Sequence, residues 1–150
     1  MNSAKEFLSK ARKIETIIRN KNAEREQWRA IAKAVTTNPD GERVMSSSSQ
    51  QKMASAVERY ADLDREIEEK ITELLTEWKD IINTIEELET VEYDLLHKVY
   101  IQGFTLKELA ITTGNSESWA TTTHGRALQN LQSILDSRKC DESKGVVTKL

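Results

Sequence analysis

Thr105-Leu-Lys-Glu108 and Ser116-Glu-Ser-Trp-Ala120 hold the residue types best suited to chemistry in this chain, and that chemistry is recognition rather than bond-making. A hydroxyl three residues ahead of a glutamate is a capping box, which starts a helix by satisfying two of its leading amides. Ser116 repeats the hydroxyl and predicts a second helix start. Between them, Ala110 is small enough for two helices to cross, and Gly114 suits a turn that needs a positive φ. This spacing is that of a helix-turn-helix, whose second helix presents its amino-terminal side to the major groove. On that second helix Ala120, Thr123, His124, Ala127, Leu128 and Leu131 share the inward face. Glu117, Ser118, Trp119, Thr121 and Thr122 fall on the outward face and are the candidates for DNA contact. Thr105 and Lys107, with the amides that open the first helix, are placed to hold phosphate. Arg126 has two readings, a DNA contact or one half of a salt bridge.

The elements that must position these residues read as all-α. The 150 residues include one proline and five glycines, and alternating β-branched runs are missing. A first helix is predicted from Ser3 to about Val35. Phe7, Ala11, Ile14, Ile18, Trp28, Ile31, Ala32 and Val35 make its apolar stripe, thin between Arg19 and Gln27. Thr36-Thr-Asn-Pro-Asp-Gly-Glu42 and the serine run Ser46–Ser49 form a hairpin tip. A second helix is predicted over about Gln50 to Leu88. Its seam of Tyr60, Leu63, Ile67, Ile71, Leu74, Trp78, Ile81, Ile85 and Leu88 advances by threes and fours, as in a coiled coil. That stripe needs covering, and the first helix folded back antiparallel is the obvious cover. Trp28 and Trp78 read as ordinary core residues of this stem. Helix three starts near Thr90 or Val91, buries Val91, Leu95, Leu96, Val99 and Tyr100, and ends at Gly103. Helix five runs from its Ser116 cap to about Ser137. The predicted organisation is a stem over 1–89, a three-helix helix-turn-helix unit over 90–137 and a flexible tail over 138–150.

Charge is unevenly distributed around a net of −3. Residues 1–49 carry a net +4, and residues 50–90 a net −7. The antiparallel stem would lay these against each other, as surface pairs that orient more than they stabilise. Charged residues make up 31% of the chain and the mean hydropathy is −0.61, which suits extended amphipathic helices better than one thick core. The acidic run Asp62 to Glu69 reads as a solvated helix face. The single cysteine, Cys140, excludes an intramolecular disulfide, and no Cys/His spacing suggests zinc. The opening Met-Asn-Ser-Ala-Lys-Glu lacks an apolar run, and no stretch reaches the ~20 apolar residues of a membrane helix. A cytoplasmic protein is therefore expected, without metal or cofactor. No phosphate loop or nucleophile–base pair suggests an enzyme. His124 reads as an inward, hydrogen-bonded packing residue and His97 as partly exposed surface.

Residues 91–135 resemble region 4 of bacterial sigma-70-family factors. The parts that carry the likeness are Leu95-Leu-His-Lys-Val-Tyr-Ile-Gln-Gly103, Thr105-Leu-Lys-Glu-Leu-Ala110, and Ser116 to Leu131 with Arg126-Ala-Leu128. They cover about a third of the chain. Upstream, Arg43-Val-Met-Ser-Ser47 and Ala56-Val-Glu-Arg-Tyr-Ala-Asp-Leu-Asp-Arg-Glu-Ile67 are similar to small phage and prophage proteins of Gram-positive bacteria, related to late-transcription regulators of the RinA/ArpU type. The resemblance implies a phage-encoded transcription regulator that binds double-stranded promoter or operator DNA, with RNA polymerase or a second copy of the chain as further partners. The chain departs from the pattern at Thr113, Asn115 and Thr123, where aliphatic residues are usual, and at Ala120, where a larger one is. Those changes predict an under-filled small core with hydroxyls in need of partners. No lysine or arginine stands among the five outward positions of helix five. That motivates the alternative expectation: a non-enzymatic module that engages RNA polymerase or a host or phage regulator through a degenerate helix-turn-helix or the stem.

Overall fold

The computed structural model describes residues 3–36 and 47–147, with side chains given for most of them. Every described element is helical. The chain runs α1 (Ser3–Thr36), α2 (Ser47–Ile85), α3 (Thr90–Leu96), a π-helical turn (His97–Ile101), α4 (Leu106–Thr113) and α5 (Glu117–Val147). The hairpin tip expected over Thr36–Ser49 lies largely outside the described residues.

Two compact units divide the chain. Residues up to Ile14 join those from Glu77 onward in one, and Glu15–Thr76 form the other. The stem expected over 1–89 therefore does not keep to itself. The first turns of α1 and the last turns of α2 belong with α3, α4 and α5. Burial gives the reason. Ala4, Leu8, Ala11 and Ile14 of α1 are buried, and so are Ile81 and Ile85 of α2. Leu95 and Leu96 of α3, Leu109 of α4 and Leu131 of α5 join them. Short helices such as α3 and α4 are marginal in isolation and need such an apolar covering. One polar tie fixes the start of α1: the Ala4 amide donates to Gln132 Oε1 at 2.9 Å.

The Glu15–Thr76 unit has a thinner core. Among the described residues there, Ile67, Ile71 and Leu74 are the buried ones, and Tyr60 and Leu63 are half-buried. Its two helical arms run antiparallel, because Arg25 Nε meets Asp64 at 2.9 Å and Arg29 Nε donates to the Tyr60 hydroxyl at 3.2 Å. Arg25 also bridges to Glu68. Trp28 is 42% exposed and Ile31 53%, so the expectation that Trp28 is a core residue fails. Two helices give a stripe only one flank of cover, and the outer members of that stripe stay in water. Trp78 is half-buried.

Two helix ends and one helix face differ from expectation. α2 stops at Ile85 rather than Leu88, where Glu87 and Leu88 amides donate to Thr84 and Ile85 carbonyls in a tight turn. α3 exposes Val91 and buries Glu92 instead, so its inward face is rotated from the expected one. α5 continues to Val147, well past Ser137, and the part of the tail through residue 147 is helical. Arg138 holds the first turn of that extension: Nη1 donates to Thr84 Oγ1 and Nη2 to Glu87 Oε2, each at 2.8 Å. Those bonds pin α5 to the end of α2 where hydrophobic periodicity has already run out.

Candidate nucleic-acid interface

The candidate surface is built from the ends of α4 and α5. Thr105 caps α4 from an extended backbone conformation, φ −79° and ψ 161°. Its Oγ1 accepts from the Glu108 amide at 3.1 Å, and the Thr105 amide donates to Glu108 Oε2 at 3.4 Å. The capping box is complete. It also places a carboxylate on one of the amides expected to meet phosphate. At the other end Gly114 adopts φ 72° and ψ 23°, and the Asn115 amide returns to the Ala110 carbonyl at 2.9 Å. That is a helix stop which a β-carbon would strain. Ser116 Oγ then accepts from the Trp119 amide at 3.0 Å and starts α5. α4 packs against α5 with Ala110, Ala120, Thr123 and Ala127 buried. The small side chains at 110 and 120 let the two helices approach.

At Thr113 and Asn115 the expected need for polar partners is met locally. Thr113 Oγ1 donates to the Leu109 carbonyl at 2.8 Å and accepts from Asn115 Nδ2 at 3.0 Å. Hydroxyls thus tie the turn together where an aliphatic pair would have packed it.

Of the eight residues singled out from sequence, Thr105, Lys107, Glu117, Ser118, Thr121 and Thr122 are exposed. Thr121 Oγ1 donates to the Glu117 carbonyl at 3.0 Å and keeps its lone pairs for a partner. Trp119 is half-buried, with one flank turned toward the protein. Arg126 approaches Glu92: its Nε lies 3.6 Å from Oε1, while its side chain is 61% exposed. Thr105 and Lys107 share the first turn of α4, and the other six lie on α5.

Glu92 is the residue that sequence patterning missed. It is 4% exposed, and both of its oxygens accept from Asn130 Nδ2, at 2.8 and 3.0 Å. A buried carboxylate needs such partners. The signal was present as Asn130 and Arg126 four apart on α5. The helix register that brings them to α3 was not.

His124 sits on the opposite flank of α5. Its Nε2 and the Tyr100 hydroxyl share a hydrogen bond of 2.9 Å, and the two rings stack with centroids 5.8 Å apart. Burial, helped by the nearby Lys5 ammonium, holds the imidazole below its ordinary pKa. Burial raises the Tyr100 phenol, and Arg12 opposes that rise. Tyr100 belongs to the π-helical turn, which closes with the Gln102 amide on the His97 carbonyl at 3.0 Å and leads to Gly103 at φ 86°. The wider turn places His97 Nδ1 2.9 Å from Gln102 Nε2.

Among the described residues, no cluster of three or more His, Cys, Asp or Glu side chains is placed to hold a metal ion. Among them, too, no helix is long and apolar enough to cross a membrane. No protein-family model, curated protein or solved structure matches the chain.

Proposed function

We propose that this chain is a phage-encoded DNA-binding transcription regulator, and that α4 and α5 act as its sigma-region-4-like helix-turn-helix. One observation carries the reading. A capped α4, a left-handed Gly114 turn and a Ser116-capped α5 leave Glu117, Ser118, Thr121 and Thr122 exposed together at the start of the second helix. That is the part of such a helix which enters the major groove. Its reading of bases would rest on hydroxyls, with Trp119 offering an edge to a thymine methyl. Hydroxyl contacts discriminate weakly, so a second copy of the chain or RNA polymerase would supply the remaining affinity. The test is titration of labelled phage promoter DNA at low salt. Binding that weakens at least tenfold in Trp119→Ala/Thr121→Ala supports the proposal. Binding unchanged by that pair, or absent, overturns it.

A second reading has its own observation. Ile111 on α4 is 74% exposed, the outward positions of α5 hold no cation, and Arg126 is drawn to Glu92. An exposed aliphatic beside a weakly charged helix fits a protein-binding module directed at RNA polymerase or another regulator. Co-migration with purified polymerase that survives nuclease and is lost in Ile111→Glu would favour this reading over the first.

A further inference from the structure

The five outward positions at the start of α5 hold no cation, yet its compact unit holds a cluster of cations on another helix. Residues 3–14 carry Lys5, Lys10, Arg12 and Lys13 against a single acid, Glu6. Ala4, Leu8, Ala11 and Ile14 are buried, which turns Lys5, Lys10 and Lys13 to the opposite side, where all three are exposed. These lysines line one continuous surface with Ser9 and Glu6.

Their pairing differs from that of the cations further along α1. Arg19, Lys21, Arg25 and Arg29 are each neutralised by a carboxylate, at Glu15, Glu24, Asp64 and Glu26. Among the described residues, Lys5, Lys10 and Lys13 have no carboxylate within ion-pairing distance. With Glu6 as the single acid among them, the three lysines leave this face net positive, so a polyanion gains by neutralising it.

This face also has a defined neighbour. Ser9 and Arg12 border a groove whose other wall is Tyr100, Gly103, Phe104 and Thr105, the approach to the capped start of α4. Arg12 Nη2 lies so close that a β-carbon on Gly103 would come within 3.0 Å of it. The basic face of α1 is thereby continuous with the turn of α4 that holds Thr105 and Lys107.

We infer that Lys5, Lys10 and Lys13 form a phosphate-backbone contact surface for duplex DNA, supplying from α1 the positive charge that the five outward positions at the start of α5 lack. This rests on the DNA-binding reading above and names where its electrostatic component resides. Each lysine that neutralises a phosphate adds about 0.9 to the slope of log affinity against log salt. The contact is independent of sequence, so a labelled random-sequence duplex is a sufficient probe.

The experiment measures that slope for the full chain, for Lys5→Gln/Lys10→Gln/Lys13→Gln, and for Lys21→Gln/Lys52→Gln/Lys70→Gln, which removes equal charge from the other unit. The α1 triple is expected to lower the slope by about two to three and to weaken binding at low salt, while the control triple leaves the slope intact. Helicity by circular dichroism shows that the α1 triple is folded. The substituted positions are exposed, so its helicity should match that of the unsubstituted chain. Binding by the unsubstituted chain with no change of slope in the α1 triple overturns this inference and leaves the DNA-binding proposal standing. An equal loss in both triples also overturns it, because it reports net charge alone. No binding by the unsubstituted chain at low salt overturns the DNA-binding proposal, and this inference with it.

Discussion

His124 shows how one side chain can tie the candidate recognition helix to the rest of its unit. It lies one position beyond buried Thr123 on α5 and reaches Tyr100 across the core. Desolvation and the Lys5 ammonium both disfavour the imidazolium, so the folded-state pKa lies below the unfolded value of about 6.5. The unfolded chain then binds more protons than the folded one as pH falls through that range. Stability from this group is complete above pH ~6.5 and is lost progressively as acid approaches the lower folded-state pKa. Urea midpoints measured from pH 7.5 to pH 5 should fall, and His124→Gln should flatten the fall. A midpoint that rises on acidification, or a slope identical in the variant, would contradict the assignment. The buried carboxylate Glu92, on the other flank of α5, shows the limit of pattern reading at this scale. No sequence pattern marked it as buried, and Asn130, which donates to both its oxygens, with Arg126 Nε at 3.6 Å, explains why it is tolerated inside.

Between elements, the legible parts were those governed by local chemistry. The Thr105 capping box, the Gly114 stop, the Ser116 cap and the Gly103 exit all depend on residues within a few positions of one another, so their types and spacing sufficed. What escaped was set by partners distant in sequence. Trp28 shares a periodic stripe with buried residues, but among the described residues no third helix of the Glu15–Thr76 unit covers it, and it is 42% exposed. The polar stretch after Ser137 gives no amphipathic signal, and its first turn is held by Arg138 reaching Thr84 and Glu87. The bend between α4 and α5 can be tested directly. A β-carbon on Gly114 would meet no atom within 4 Å, so alanine there suffers only from the left-handed backbone. Gly114→Ala should cost about 1–2 kcal/mol, and Gly114→Asn, which tolerates that conformation better, clearly less. Equal stability of all three proteins by thermal denaturation would show that the turn does not hold its positive φ.

At the scale of the whole molecule, α1 and α2 each take part in both compact units, although each is a single unbroken helix. Continuity of backbone does not require continuity of core. Leu8 is fully buried with α3–α5, while Ile71 is buried in the unit formed by the two long arms. Local stability should follow the core to which a side chain belongs. Replacing Leu8 with alanine removes a buried isobutyl group at a cost of about 2–5 kcal/mol. That loss should register in hydrogen exchange as faster opening of amides from Leu95 to Leu131, with little change from Ile67 to Leu74. Ile71→Ala should give the reverse pattern. If the two variants instead accelerate exchange to the same degree throughout, the molecule unfolds as one cooperative body. The first fourteen residues would then have no special allegiance to α4 and α5. The expected asymmetry has a functional consequence. The lysine face of α1 and the exposed hydroxyls of α5 would remain ordered together even while the long arms open, so the proposed DNA-contact surface would not depend on the thin core of the Glu15–Thr76 unit.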